Sequence, residues 1–101
     1  MQRNKDAIFK ALSDSTRRLI LDELCERNAQ TMYELTVRLI SNHGLSLTRQ
    51  AIAKHLAALE EAGLVTSEKQ GKYRVVIFHP EPLVGLLDTW TDKHHPEEED
   101  K

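Results

Sequence analysis

The feature that most constrains this chain is a change of period at Gly63. Up to that glycine, apolar residues recur every three or four positions, the spacing of helices that bury one face. Ile8, Phe9, Ala11 and Leu12 predict a first helix that ends at Ser13-Asp14. Asp14 is placed to cap a second helix carrying Ile20, Leu21, Leu24 and Cys25 to about Arg27, before a polar break at Asn28-Ala29-Gln30. Thr31-Met32-Tyr33-Glu34 has the form of a capping box, in which hydroxyl and carboxylate each satisfy a free amide. It opens a third helix with Met32, Leu35 and Leu39 that should end near Ile40, ahead of the turn cluster Ser41-Asn42-His43-Gly44. Thr48 caps a fourth helix reaching Ala62, with Ile52, Leu56 and Leu59 on one stripe and Gly63 as its stop.

After Gly63 the pattern is extended. LVTSEK and KYRVVIF, joined at Gln70-Gly71, are rich in β-branched and aromatic residues and predict a hairpin over 65–78. Pro80 and Pro82 suit the start of a fifth helix, where Leu83, Leu86, Leu87 and Trp90 fall at helical spacing. From Lys93 the run HHPEEEDK has no apolar face to bury, and Pro96 breaks a helix. The expected organisation is one domain over 1–92 and an acidic, disordered tail over 93–101. The fold class is mainly α with a small β-hairpin: four helices, the hairpin, then a fifth helix, which is the order of a winged helix-turn-helix.

At 101 residues one domain is all the length allows, and only five residues are aromatic, so the core is thin and association is a natural source of further stability. The lone Cys25 excludes an internal disulfide framework and points to a reducing compartment. The first residues are too polar for a secretory segment, and no apolar run approaches the roughly 18 residues of a membrane helix. A cytoplasmic protein with no membrane partner is expected. The net charge of −2 hides an asymmetry: residues 1–80 carry twelve Lys and Arg against nine Asp and Glu, whereas 81–101 carry two against seven. A mildly basic body therefore precedes an acidic end, and only a local basic face can decide whether nucleic acid is bound.

Three stretches, ALSDSTRRLILDEL, LTRQAIAKHLAALEEAGLV and KQGKYRVVIF, together resemble the arsenic-repressor (ArsR-type) family of dimeric transcriptional regulators, over about residues 5–92. The resemblance implies a homodimeric repressor of promoter DNA. Independently of it, the fourth helix has the chemistry of a major-groove reader. Arg49 and Gln50 lie in its first turn, with Ala53 and Lys54 one turn later, away from Ile52, Leu56 and Leu59. Arg pairs with guanine, Gln with adenine, and alanine meets a thymine methyl, while Lys54 suits a phosphate. Thr48, Arg49, Gln50, Ala53 and Lys54 are thus the expected DNA contacts of the helix. Lys69, Lys72 and Arg74 around the hairpin turn are the expected contacts of a wing with the DNA backbone, and Tyr73 is expected to pack under it.

Arg17 and Arg18 oppose the dipole of the second helix, which implies an acidic partner; the resemblance implies a place near the DNA backbone and the dimer core, and a salt bridge to Asp14 or a neighbouring carboxylate is the alternative. His55 falls on the apolar stripe of the fourth helix and is expected to be packed and hydrogen-bonded. Cys25, also on an apolar stripe, is expected to be a buried, inert thiol. The stripe Leu83, Leu86, Leu87 and Trp90, with Ile8, Phe9 and Leu12 of the first helix, is the expected dimer interface; the alternative is that these two helices pack on each other within one chain.

Family members that sense metals often carry a Cys-x-Cys-type pair on the third helix, where this chain has ELTVRL. A second family site uses Asp and His along the fifth helix; here Asp88 is followed by Trp90, and His94 and His95 adjoin Pro96. His95 and Glu98 alone are too few ligands for a closed zinc site. No metal and no cofactor are expected, and the inducer or effector is not written in the sequence. Glycine-rich phosphate loops, a nucleophile elbow and paired catalytic carboxylates are all missing from the pattern, which excludes the common enzyme classes. The alternatives to a DNA-binding repressor are a winged helix serving protein interaction and a metal-responsive repressor with an unrecognised site.

Overall fold

A computed structural model of the chain describes residues 2–94, with side chains over 5–92. Of the expected tail over 93–101, the backbone of Lys93 and His94 continues the last helix; residues 95–101, with His95 and Glu98, lie outside the described residues, as do the side chains of Lys93 and His94. The elements are α1 (Gln2–Leu12), α2 (Ser15–Glu26), β1 (Gln30–Thr31), α3 (Met32–His43), α4 (Arg49–Glu61), β2 (Val65–Gln70), β3 (Tyr73–Phe78) and α5 (Glu81–His94). The five helices and the hairpin follow the predicted order.

The second, third and fourth helices begin where a side chain satisfies their free amides. Asp14 Oδ1 accepts from the amides of Thr16 (2.8 Å) and Arg17 (3.1 Å), opening α2. At α3 the capping box is complete: Thr31 Oγ1 accepts from the Glu34 amide at 3.0 Å, and Glu34 Oε1 accepts from the Thr31 amide at 2.9 Å. Thr48 Oγ1 accepts from the Ala51 amide at 3.0 Å to start α4. That helix stops at Gly63, whose φ of 77° turns the chain so that the amides of Gly63 and Leu64 reach back to Glu60 O and Leu59 O.

Ile20, Leu24, Leu35, Leu39, Ile52, Leu59, Leu64, Val65 and Val76 are the largest apolar side chains wholly removed from solvent. They come from α2, α3, α4 and the hairpin, so the core holds the third and fourth helices at a fixed angle to the wing. Two features of this frame lay beyond the sequence patterns. The polar break at Asn28-Ala29-Gln30 contains a strand: Gln30 and Thr31 pair with Val76 and Val75, making a three-stranded antiparallel sheet in the order β1-β3-β2. Asn28 extends that ladder with its side chain, accepting from the Phe78 amide (2.8 Å) and donating to the Phe78 carbonyl (3.1 Å). A two-residue strand has no detectable period, and it exists because β3 supplies its partners.

The second feature is a buried carboxylate. Glu23 is only 4% exposed between α2 and α3. Its oxygens accept from Arg38 Nε (2.7 Å) and Asn42 Nδ2 (3.1 Å) and meet His43 Nε2 at 2.9 Å. Burial pushes this carboxyl up, but the hydrogen bonds from Asn42, Arg38 and His43, with the charge of Arg38, outweigh it and hold the pKa below the usual glutamate value. These contacts explain why α3 continues to His43 and not merely to Ile40: its last turn is fastened to α2, and Gly44, at φ 63°, then ends it.

Several expectations need correction. Cys25 is exposed, because the inward face of α2 is formed by Ile20, Leu21, Glu23 and Leu24. The hairpin turn is Gly71-Lys72, one position later than expected, since Gln70 pairs with Tyr73. Of the two turn residues, only the first, Gly71, has a positive φ (63°). Arg17 and Arg18 form no salt bridge among the described residues, although, against burial, the charge of Arg17 helps hold the Asp14 carboxyl below its usual range and Arg18 is exposed. Arg17 Nη1 donates to Lys10 O at 3.1 Å and Arg18 Nη1 to Leu12 O at 2.6 Å, so both cap the open carbonyls of α1.

Candidate nucleic-acid interface

Along α4 the buried residues Ile52, Leu56 and Leu59 face the core, which leaves Gln50, Ala53, Lys54 and Ala57 exposed on the opposite side. This outward stripe is polar at its start, small in its middle, and followed by Glu60 and Glu61. The charges run against the helix dipole, with no acid in the first turn and no base in the last. Intrinsic helix stability does not ask for that order; a polyanion approached by the N-terminal end does.

His55, on the side of α4 facing α2, is held as expected. Its Nδ1 accepts from Arg17 Nε at 3.3 Å and lies 3.9 Å from Asp14 Oδ1, so it joins the two helices.

The wing is tied to α4 by a short relay in which Arg74 Nη1 donates to Ser67 Oγ (3.0 Å) and Ser67 Oγ donates to Glu60 Oε2 (3.1 Å). Its cations are exposed, and Lys69 stands directly across the ladder from Arg74. Like charges at directly opposed positions destabilise a sheet, so the ladder itself gains nothing from this pairing. Tyr73 does not pack under the wing: it is 56% exposed, with Lys72 Nζ 5.8 Å from its ring centroid.

Of the eight predicted DNA contacts, the structure brings four, Arg49, Lys69, Lys72 and Arg74, around one groove of ≈ 290 Å³ between the wing and the start of α3. Among the described residues none of these four forms a salt bridge with a carboxylate. Gln50, Ala53 and Lys54 stand on the outer face of α4, and Thr48 serves as its cap. The groove also contains a residue that sequence reasoning passed over, Tyr33, 77% exposed in the first turn of α3. The available signal was an aromatic side chain opposite the Leu35 and Leu39 stripe, where nothing of the core requires one.

The predicted apolar interface divides in the structure. Ile8 is 3% exposed and belongs to its own chain's core, which removes it from any intersubunit surface. Leu12, Leu83 and Leu86 are partly buried against that core. Phe9 stacks on Trp90 of the same chain, centroids 5.8 Å apart, so the alternative contact between first and fifth helices does form. Yet Phe9 (45%), Val84 (53%), Leu87 (56%) and Trp90 (46%) keep about half of their surface in solvent.

Three helices with a hairpin behind the last, exposing a polar helix face flanked by a basic ribbon, define a winged helix-turn-helix DNA-binding protein. Comparison with known proteins gives the particular group. The family model described as bacterial regulatory protein, arsR family, matches residues 14–67. The HTH-type transcriptional regulator YuzN of Bacillus subtilis is 70% identical over 92 residues, 91% of this chain and 100% of that protein. The arsenical resistance operon repressor of B. subtilis is 33% identical, over 78% of this chain and 70% of its own length. Among solved structures, an ArsR-like transcriptional regulator from Rhodococcus sp. RHA1 superposes with a TM-score of 0.75 at 35% identity, covering 96% of this chain and 83% of that one. The chain belongs to the ArsR family: it is a DNA-binding transcriptional regulator and not an enzyme. No described helix is long and apolar enough to cross a membrane.

Proposed function

We propose that the protein is a dimeric repressor that covers an inverted-repeat operator, reading bases with the outer face of α4 and holding the flanking backbone with the wing. The observation that carries this reading is the convergence of Arg49, Lys69, Lys72 and Arg74 on one groove, with none of the four in a salt bridge among the described residues. Clustered cations repel one another in the free protein, and a phosphate backbone removes that cost while releasing counterions.

The name of the B. subtilis arsenical repressor supports repression as the mode of action. The half-exposed Phe9, Val84, Leu87 and Trp90 support the dimer, and α5 is only sparsely packed on its own chain. A two-fold pair would present two copies of α4 to half-sites about 34 Å apart or a multiple of it. Within such a dimer Gln50 and Ala53 discriminate bases, and Lys54 takes a phosphate beside them.

Titration of a random-sequence duplex at about 50 and 200 mM salt tests the reading, because neutralising several phosphates makes affinity fall steeply over that range. Binding that ignores salt, or no binding at all, would return the chain to the alternative of a winged helix used for protein contacts.

A further inference from the structure

We propose that the groove between the first turn of α3 and the wing seats a single backbone phosphate, that Tyr33 is a positioning residue for it, and that Arg49 clamps this phosphate instead of reading a base. The proposal rests on the reading of this face as the DNA interface and divides the labour within it.

Helical geometry separates Arg49 from the base-reading stripe. At roughly 100° per residue, Gln50, Ala53, Lys54 and Ala57 span one sector of α4, and Arg49 lies roughly 90° from its centre. The side chain of Arg49 follows that geometry: it lines the groove with Tyr33 and the wing cations, whereas Gln50, Ala53 and Lys54 do not. A guanidinium committed to that groove is aimed at the backbone that the wing holds. Its planar fork suits two oxygens of one phosphate.

Tyr33 supplies what cations cannot. It stands at the start of α3, 77% exposed, and Tyr73 lines the same groove from the wing. A phenolic hydroxyl donates one directed hydrogen bond to a phosphate oxygen and fixes its place between mobile lysines, contributing register without charge. The ring adds nothing to the core, and among the described residues its hydroxyl has no side-chain partner, so the free protein gives it no other task.

The proposal makes unlike predictions for neighbouring residues. The probes are a duplex selected from a random pool by the wild-type protein and a scrambled duplex of the same composition. Arg49→Ala is expected to weaken both by about the same tenfold factor and to reduce the salt slope by about one. Tyr33→Phe is expected to weaken both about threefold with the salt slope unchanged, because a neutral hydroxyl displaces no counterion. Gln50→Ala should lose affinity only for the selected duplex. A methylphosphonate scan then locates the seat: neutralising one phosphate per half-site should erase the penalties of Arg49→Ala and Tyr33→Phe together. Thermal melts of Tyr33→Phe matching wild type keep its effect separate from folding. A loss confined to the selected duplex in Arg49→Ala, or wild-type affinity in Tyr33→Phe, overturns the proposal while leaving DNA binding intact. Failure of the wild-type protein to bind either duplex in a salt-dependent way overturns the DNA reading itself and the seat with it.

Discussion

At the wing, Lys69 opposes Arg74 across the ladder, and among the described residues no carboxylate lines the groove they share with Arg49. On the α1–α5 face, Phe9, Val84, Leu87 and Trp90 are about half exposed, and a stack between Phe9 and Trp90 covers only part of their surface. Both surfaces are unfavourable in an isolated molecule, but for opposite reasons. The first accumulates repulsion, which falls when an anion arrives and is sensitive to salt. The second leaves apolar area in water, which is relieved by another apolar surface and is indifferent to salt. The contrast teaches that one small core, drawn mainly from α2, α3, α4 and the hairpin, supports two surfaces of opposite chemistry, one gathering cations and the other leaving apolar area in water.

The largest effect is expected from destroying the apolar surface. Replacing both Leu87 and Trp90 with Glu places two charges per chain on that face, and should yield a folded monomer whose operator affinity is down about a hundredfold or more, since both half-sites are no longer held together. Leu86 is a poorer choice, being partly buried against its own core. Light scattering at micromolar concentration with a thermal melt checks the outcome; a monomeric wild type would break the comparison at once.

A smaller loss should follow from the joint that belongs to neither surface. Glu23→Ala leaves Arg38, Asn42 and His43 without their common acceptor and should cost about 2–3 kcal/mol of stability, measured by denaturant unfolding. Because the folded carboxyl titrates below the ordinary value of 4.5, its contribution is present above that pH and is lost as pH falls through the lower folded value. Glu23→Gln should therefore flatten the acid limb of the stability profile, while the dimer and the salt dependence of DNA binding persist.

Legibility in the sequence followed the range of the interaction. Capping boxes, helix stripes and the hairpin are set by residues within a few positions of one another, and Asp14, Thr31, Thr48 and Gly63 act in the structure as their spacing implied. What escaped depends on distant partners. β1 requires β3, some 45 residues later, and Glu23 requires the last turn of α3. Cys25 was misplaced because a stripe of i and i+1 neighbours on α2 has two edges, and only packing decides which faces inward. In the candidate interface the residue types were legible, but the gathering of Arg49 with the wing, and of Tyr33 with both, arises from how α3, α4 and the hairpin meet.

Within the charged surface, Gln50→Ala should sharpen the division between reading and holding. Loss of a bidentate contact is expected to relax preference at one or two base positions by about 1–2 kcal/mol, seen in a binding-site selection, without altering affinity for scrambled DNA.

The smallest effect is expected at Lys72, and it separates the two surfaces most directly. Lys72 sits in the turn behind Gly71, exposed, with its ammonium 5.8 Å from the Tyr73 ring centroid. A lysine at the tip of a hairpin meets the backbone as a mobile point charge, so Lys72→Ala should weaken every sequence about threefold near 0.1 M salt and lower the salt slope by about one. As salt rises, wild type and variant should converge, because the contact they differ in is screened within a Debye length. Over the same range the dimer should hold or tighten, its apolar face gaining nothing from charge. A salt titration followed at once by DNA binding and by light scattering therefore reads both surfaces in one experiment; a dimer that dissociates in step with the DNA would mean that the α1–α5 face is electrostatic after all and that the contrast between the two surfaces is false.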